Sequence, residues 1–154
     1  MTVASALKFI VAVPQDADAL VALRIAAMRE SLERVGRFDP VRARDRFLVG
    51  FVPEATQHIE QAGTRVGFLV TKLQDNCLLL DHLYIHPDHQ GRGLGGAVLS
   101  HVFAQADVLK MPVRVDALKG SDSNRFYLRH GFMLVEAGEF DNYYIRPIAA
   151  HHTP

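Results

Sequence analysis

The sequence predicts a mixed α/β fold in a single domain, on three observations. Short apolar runs bounded by proline, glycine or asparagine are typical of β-strands, and several occur along the chain. Between them, longer stretches repeat apolar residues at the three- and four-residue spacing of amphipathic helices. The chain has 154 residues, an ordinary size for one domain with a substantial core. We therefore assign residues 1–154 to one domain in which strands and helices alternate.

The amino-terminal part predicts one strand followed by two helices. Residues 8–13 are an apolar run that ends at a proline. The first helix is expected to be capped by Asp16 or a neighbour and to end at Gly36, because glycine readily ends a helix. Asp39-Pro40 has the order of a capping acid and a first-turn proline, so a second helix should begin there and end before the next proline.

The rest of the chain predicts six strands and two helices. Ala62-Gly63 and Asp75-Asn76 are turn pairs that separate the first three of these strands. In order, the strands are expected at residues 56–61, 64–73, 78–85, 113–118, 132–135 and 140–145, and the helices at 94–109 and 122–130.

A glycine-rich loop joins the apolar strand at 78–85 to the helix that follows it. It reads Gln90-Gly91-Arg92-Gly93-Leu94-Gly95-Gly96. Glycines let backbone N–H groups approach a phosphate, and the first turn of a helix has unpartnered N–H groups and a partial positive charge. The sequence therefore predicts a site for a phosphorylated cofactor at this loop.

The loop also matches the dinucleotide fingerprint G-x-G-x-x-G. Gly91, Gly93 and Gly96 satisfy it, and Asp116 follows in the next strand-like run as a candidate for the ribose. In that fold, however, the first glycine turns directly off the strand, whereas here residues 86–90 intervene and include a proline. The chain after the loop is also too short for the usual nucleotide-binding halves. A nicotinamide-dependent enzyme is therefore disfavoured.

A longer set of residues resembles the GNAT superfamily of N-acetyltransferases. Gln90, Gly93 and Gly95 match, in register, the pyrophosphate-loop pattern Q/R-x-x-G-x-G/A of that family. Residues 83–87 look like the end of its central strand with the terminal proline, and residues 126–132 look like its F-Y-x-x-x-G-F segment. One predicted helix and one predicted strand separate the two segments, as in the family.

The resemblance implies a mixed, mostly antiparallel sheet with a splayed central strand and about four helices. It assigns residues 83–96 to the end of the central strand and the pyrophosphate loop, and residues 121–132 to a tyrosine-bearing helix. Acetyl-CoA is the implied cosubstrate, and no metal is expected. The implied cofactor contacts are Leu83, Tyr84, Ile85, Gln90, Gly91, Arg92, Gly93, Leu94, Gly95, Gly96, Ser121, Asn124 and Tyr127.

One position departs from the family pattern. Many members have an asparagine seven positions before the tyrosine, where this chain has Gly120. The chain instead offers Ser121 and Asn124. Ser121 is expected to cap the helix that carries Tyr127, with Asn124 on its first turn.

The implied reaction is direct transfer of an acetyl group from acetyl-CoA to a primary amine, without a covalent acetyl-enzyme. Backbone groups of residues 83–85 would bind the pantetheine and the thioester carbonyl. Tyr127 stands where the family usually has the residue that protonates the sulfur of coenzyme A. A phenol with a pKa of about 10 is a suitable donor to a thiolate.

Four side chains are candidates for deprotonating the amine: Glu30, Asp81, His82 and Asp116. Asp81 and His82 are favoured because they lie on the strand expected to present the thioester, and their side chains should point to opposite sides of it. An imidazole has a suitable ordinary pKa of about 6.5. None of the four has a partner in a motif, so proton transfer through ordered water is the alternative.

The composition argues against several other classes of protein. Seventeen basic and seventeen acidic side chains balance, which gives no global field for nucleic acid or a membrane surface. The single cysteine, Cys77, excludes an internal disulfide, and no run is long enough to span a membrane. Without a signal-peptide core near the start, we expect a cytoplasmic protein. Four histidines lack the spacing of metal ligands and are interpreted as loop or tail residues: His86, His89, His151 and His152.

The acceptor is expected to be a small-molecule or peptide amine, and a homodimer is compatible with the sequence. Arginines cluster around the second helix and would suit an acidic acceptor, although a solvated helix face is the favoured explanation: Arg34, Arg37, Arg42, Arg44 and Arg46. The alternative to an enzyme is a non-catalytic acyl-CoA-binding or sensing domain of the same fold. Gly120 and the undetermined base both allow it.

Overall fold

A computed structural model describes residues 6–148. Among them are seven strands and four α-helices, with short 3₁₀ turns at Pro14–Asp16, Pro53–Ala55 and Pro87–His89. The strands are β1 (Leu7–Val11), β2 (Thr56–Gln61), β3 (Thr64–Leu73), β4 (Leu78–Ile85), β5 (Val113–Leu118), β6 (Met133–Ala137) and β7 (Asp141–Arg146). The helices are α1 (Ala17–Arg34), α2 (Pro40–Val49), α3 (Leu94–Leu109) and α4 (Ser123–Arg129).

The strands form one sheet in the order β1-β2-β3-β4-β5-β7-β6. The pairs β1–β2, β2–β3, β5–β7 and β6–β7 are antiparallel, whereas β4 and β5 run parallel. The parallel register covers only residues 78–80 opposite 113–115, although β5 continues beside β7 to Leu118. The predicted mixed, mostly antiparallel sheet with four helices is confirmed, and the splay of the central strand stays a prediction.

The chain divides into two compact units, and the first comprises residues 6–70 and 82–95. Its core joins Leu20 and Val21 of α1 to Phe47 of α2 and to Phe68 and Val70 of β3. The rings of Phe47 and Phe68 meet edge to face, with centroids 5.6 Å apart. Each buried side chain of this size contributes about 1.5–3 kcal/mol to folding, so this cluster holds the two helices on the sheet.

Local signals in the sequence place the turns and helix ends of the first unit. Gly36 has φ +71°, as expected of a residue just past a helix. The carboxylate of Asp39 accepts the backbone N–H of Arg42 at 3.1 Å and caps α2, as predicted. Ala62 and Gly63 have φ of +50° and +80°, which matches a two-residue hairpin turn between β2 and β3.

Asp16 stands at the N-cap position of α1 but does not cap the helix with its side chain. Its carboxylate accepts the backbone N–H of Val13 at 3.0 Å and lies 2.9 Å from Nε2 of His58 on β2. The hydrogen bond to His58, followed by the one from Val13, lowers the pKa of Asp16. His58 is only 3% exposed, so this pair fastens the start of α1 to β2.

The second unit comprises Thr71–Asp81 and residues 96–148. Along β5, Val113, Val115 and Ala117 are buried while the residues between them are exposed, which is the alternation of a strand covered on one face. Within this unit, the buried face of α3 consists of Val98, Leu99, Val102 and Ala106. By contrast, every residue of β6 is exposed.

The prediction that Ser121 caps α4 is wrong. The helix begins at Ser123, and Asp122 stands at its N-cap position. Gly120 has φ +83°, and the N–H of Ser121 donates to the carbonyl of Leu118 at 3.1 Å, so Ser121 belongs to the preceding turn. The other element boundaries agree with the sequence predictions to within about two residues, which is the usual uncertainty of helix and strand ends.

Candidate active site

The loop between β4 and α3 has the backbone shape that an anion site requires. Gly91 and Gly93 have φ of +78° and +76°, which glycine adopts at little cost. Leu94, Gly95 and Gly96 are the first residues of α3, so their N–H groups lack partners inside the helix. A Cβ atom at Gly91 or Gly93 would meet nothing within 4 Å, so the backbone there is open to approach.

Two side chains of the loop bind back to the chain just before it. Gln90 donates from Nε2 to the carbonyl of Ile85 at 2.9 Å. Arg92 donates from Nη2 to Nδ1 of His89 at 2.7 Å. The turn is held further by the N–H of His86, which donates to the carbonyl of Val66 at 2.8 Å. The loop conformation is therefore fixed by the protein itself, which favours a preformed site.

The end of β4 runs very close to β3 at Gly67. A Cβ atom on Gly67 would overlap the carbonyl oxygen of Tyr84 and would lie 3.1 Å from Cδ1 of Ile85. A glycine is therefore required here for the strand that contains the predicted backbone contacts at residues 83–85. The sequence does not single out Gly67, because the close approach involves a strand that lies later in the chain.

In the first unit, the side chains of Arg24 and His82 both lie within hydrogen-bonding distance of the Tyr84 hydroxyl. We call these three side chains the Tyr84 network. Nε of Arg24 donates to the Tyr84 hydroxyl at 3.2 Å, and Nδ1 of His82 lies 2.9 Å from the same oxygen. Nη1 of Arg24 also donates to the carbonyl of Ala43 on α2 at 2.8 Å. The His82 ring meets the ring of Phe47 edge to face at 5.6 Å. Arg24 is the one member that the sequence analysis missed, because an arginine inside a helix gives no motif signal.

The other favoured base belongs to a different set of side chains in the second unit. Asp81 forms an ion pair with Lys72, with Nζ and Oδ2 3.0 Å apart. Partial burial raises the pKa of Asp116, and the carboxylates of Asp141 and Asp81 raise it further. We call Asp81, Asp116 and Asp141 the carboxylate group. The structure thus places two of the sequence-predicted bases, Asp81 and Asp116, within electrostatic reach of each other.

Tyr127 is buried on α4, with 5% of its surface exposed. Its ring contacts those of Phe126, Phe132 and Tyr144, with centroids 5.3, 5.2 and 6.2 Å apart. On the exposed face of a helix, such a ring would lie in solvent. The helix therefore holds this tyrosine in one position, as a residue with a fixed task requires.

Asn124 fixes the start of α4 through its side-chain amide. Nδ2 donates to the carbonyls of Leu118 and Ser121, both at 2.9 Å. Oδ1 accepts from Nδ2 of Asn142 at 2.9 Å and from the hydroxyl of Tyr144 at 2.7 Å. Both Nδ2 and Oδ1 of Asn124 are therefore hydrogen-bonded within the protein. The predicted contact of Asn124 with the cofactor stays a prediction, and its backbone is the part that could make it.

The backbone conformation at position 120 explains why a glycine is suitable there. Gly120 adopts φ +83°, a conformation that glycine takes readily and asparagine tolerates better than most other residues. Glycine at position 120 therefore suits this left-handed turn and brings no side chain to it.

The remaining candidates lie on the surface of the first unit. Glu30 pairs with Arg34 at 3.4 Å and its side chain is 90% exposed, so nothing in its surroundings prepares it for catalysis. Among the clustered arginines, Arg34, Arg42, Arg44 and Arg46 are exposed, which agrees with a solvated helix face. His151 and His152 lie outside the described residues.

Two other kinds of feature are absent from residues 6–148. No group of three or more histidine, cysteine or acidic side chains there could hold a metal ion. In the same part of the chain, every helix is too short or too polar to cross a bilayer.

Comparison with known families identifies the chain. Residues 47–134, more than half of the sequence, match the model of the acetyltransferase (GNAT) domain. The chain belongs to the GNAT acetyltransferase family. The matched segment of this GNAT domain contains β4, the glycine loop, α3 and α4. No curated protein sequence matches this one.

Solved structures share the fold of this GNAT protein. The PaiA N-acetyltransferase of Thermoplasma acidophilum, in complex with coenzyme A, has 13% identity and a TM-score of 0.75, covering 92% of this chain and 99% of that one. An acetyltransferase of Thermus thermophilus has 22% identity and a TM-score of 0.73, covering 96% and 100%. The protein PH1933 of Pyrococcus horikoshii has 14% identity and a TM-score of 0.71, covering 94% and 100%. At these identities the likeness concerns the fold alone.

Proposed function

We propose that this protein is an N-acetyltransferase that moves an acetyl group from acetyl-CoA directly to a primary amine. The observation that carries the proposal is the junction of the glycine loop with α3. Two left-handed glycines, Gly91 and Gly93, precede a helix whose first N–H groups point out of the helix end. Membership of the GNAT family and a structural neighbour in complex with coenzyme A support the same ligand.

The residues of the loop fit the pyrophosphate of coenzyme A. Backbone N–H groups at a helix start bind phosphate oxygens, and the helix dipole adds a partial positive charge. The guanidinium of Arg92 is exposed beside these groups and adds a full charge. Bound acetyl-CoA supplies the activated acetyl group, and the protein supplies the position of the acceptor and the proton transfers.

Two proton transfers are assigned to side chains of this protein. Tyr127 is proposed to protonate the sulfur that leaves, since a phenol and a thiolate have comparable basicity. Removal of the proton from the amine is proposed for His82 or Asp81, with ordered water as a substitute for either. Because these candidates belong to different sets of side chains, loss of one leaves the other in place.

Titration calorimetry and a turnover assay test the proposal together. Acetyl-CoA should bind the wild-type protein, and a panel of primary amines should release free thiol from it. Gly95→Trp fills the space that the cofactor needs and should abolish binding, whereas Gly50→Trp, at an exposed helix end with nothing within 4 Å of an added Cβ atom, should not. Binding without turnover on any amine would favour the sensing domain, and unchanged affinity in Gly95→Trp would remove the loop from the site.

Tyr127→Phe tests the leaving-group role. A general acid contributes about 10²–10⁴-fold, so turnover should fall by that factor while the affinity for acetyl-CoA changes little. Tyr143→Phe, at an exposed tyrosine of the same unit, is the control. A fall of less than about threefold, with product release shown to be fast, would contradict the assignment.

A further inference from the structure

Arg24 is a half-buried cation that has no carboxylate partner among residues 6–148. Its two hydrogen-bonded groups donate to neutral oxygens, the hydroxyl of Tyr84 and the carbonyl of Ala43. Within residues 6–148, no aspartate or glutamate oxygen lies within 4.0 Å of its guanidinium. A guanidinium has five N–H donors, so three of them lack a protein acceptor among the described residues.

Other arginines on the same two helices differ from Arg24 in this respect. Arg29 pairs with Glu33 at 2.7 Å, and Arg44 approaches Asp18 at 3.6 Å. Those two side chains are at least half exposed, where water alone would solvate them. Arg42 and Arg46 on α2 likewise have no carboxylate within 4.0 Å among the described residues, but both are exposed to water. Arg24 is therefore the half-buried arginine of these helices that lacks an anion, which is the reverse of the usual arrangement.

The position of Arg24 connects it to the proposed chemistry. The Tyr84 hydroxyl is the common partner of Nε of Arg24, at 3.2 Å, and of Nδ1 of His82, at 2.9 Å. The guanidinium carbon also lies 5.9 Å from the centre of the Tyr84 ring, so the phenol positions it from two directions. An anion bound to Arg24 would thus lie one side chain away from a candidate base.

We infer that the acceptor is an amine that also carries a carboxylate, and that Arg24 binds this carboxylate. The inference rests on the proposed acetyltransferase function. One guanidinium matches the single charge and the planar, two-oxygen geometry of a carboxylate. A phosphate carries more charge and normally gathers several cationic groups. An α-amino acid, or a short peptide with both termini free, has the required chemistry.

Matched pairs of acceptors test the inference: amino acids and the corresponding amino-acid amides. The wild-type kcat/KM should be at least tenfold higher for the acid than for the amide, because a hydrogen bond to a charged group is worth roughly that factor or more. The neighbouring carboxylate makes the amine of the acid more basic, so the amide holds more free amine at neutral pH. A preference for the acid therefore cannot arise from amine basicity.

Variants of Arg24 assign the preference to this residue. Arg24→Gln should remove at least tenfold of the preference for the acid over the amide, mainly through the KM of the acid, whatever its effect on the rate with the amide. Arg24→Lys keeps the charge without the fork and should retain part of the preference. Arg29→Gln, an exposed arginine of the same helix, is the control and should behave like the wild type. Melting temperatures check that each variant is folded.

The outcomes separate this inference from the function on which it rests. If acids and amides are acetylated equally well by the wild type, or if Arg24→Gln keeps the full preference, the inference is wrong and the acetyltransferase function stands. If no amine of either kind is acetylated although acetyl-CoA binds, the acetyltransferase function is wrong, and the inference is overturned with it.

Discussion

Asp81 and His82 are neighbours on β4, yet they belong to two sets of side chains built on opposite principles. In the Tyr84 network, donors meet acceptors: the Tyr84 hydroxyl lies within hydrogen-bonding distance of both Arg24 and His82. In the carboxylate group, like charges lie near one another: partial burial raises the pKa of Asp116, and the carboxylates of Asp141 and Asp81 raise it further. The first set stabilises one geometry, whereas the second accepts an electrostatic cost, which is more common at sites of chemistry than in plain scaffolding.

A second pair of residues gives the same contrast in terms of pH. Asp16, in the first unit, has a lowered pKa because it accepts hydrogen bonds from His58 and Val13. Asp116, in the second unit, has a raised pKa because of burial and neighbouring carboxylates. The first carboxylate therefore stabilises the fold when it is charged, and the second destabilises it. Four substitutions test these two contrasts, and their expected effects on stability decrease in the order Gly67→Ala, Asp16→Asn, Tyr84→Phe and Asp116→Asn.

Gly67→Ala should have the largest effect on stability, because it disrupts the close contact between β3 and the part of β4 that carries Tyr84. The added Cβ atom would overlap the carbonyl oxygen of Tyr84, and backbone cannot move aside as a side chain can. We expect a loss of about 3 kcal/mol in the free energy of unfolding, measured by urea denaturation. Gly50→Ala, where an added Cβ atom meets nothing within 4 Å, should change stability by no more than about 1 kcal/mol. Equal stability of the two variants would disprove the close approach.

Asp16→Asn should lower stability by about 2 kcal/mol at pH 7, since it removes the charge that strengthens two hydrogen bonds. The lowered pKa means that this contribution is present above the ordinary value of 3.8 and is lost as the pH falls through the folded-state pKa. The difference between variant and wild type should therefore shrink below about pH 4. Asp18→Asn, whose carboxylate is 84% exposed, is the control. A difference that is constant with pH would show that the charge of Asp16 does not stabilise the fold.

Tyr84→Phe removes the oxygen that the Tyr84 network shares and keeps the ring. It should cost about 1–2 kcal/mol, because Arg24 loses an acceptor in a half-buried position. In a double-mutant cycle with Arg24→Met, the two changes should be non-additive by at least about 0.5 kcal/mol. Tyr143→Phe should leave stability unchanged, since that side chain is exposed. Strict additivity would mean that the contact between Arg24 and the Tyr84 hydroxyl does not contribute to stability.

Asp116→Asn should have the smallest effect on stability, and unlike the other three substitutions it should stabilise the protein. A raised pKa means that the folded state binds a proton more tightly, so stability falls as the pH rises above the ordinary value of 3.8. Asparagine cannot ionise, and the variant should gain up to about 0.5 kcal/mol over the wild type at pH 7 and nothing near pH 3. Thermal melts at both pH values measure this difference. A variant less stable than the wild type at pH 7 would contradict the repulsion.

Features that depend on local chemistry could be predicted from the sequence. Gly91 and Gly93 adopt left-handed backbone, Asp39 caps α2, and Ala62-Gly63 forms the hairpin turn, because each depends on a few adjacent residues. The family motif extends this to the order of the elements around the loop.

Features that depend on contacts between distant parts of the chain could not be predicted. Arg24 and Tyr84 are 60 positions apart, and neither residue type signals the other. Gly67 is required only because β4 comes to lie beside β3. Ser121 looks like a helix cap until the left-handed turn at Gly120 moves the start of α4 beyond it.

The way Asn124 holds α4 has a consequence for how the protein loses activity. A helix of seven residues is unstable alone, so α4 persists through its burial and through the hydrogen bonds of one amide. Urea competes for such amide bonds and should open α4 locally at a lower free energy than the whole sheet. Backbone amides of α4 should then exchange with deuterium sooner than those of α3, and inactivation should precede unfolding during a urea titration.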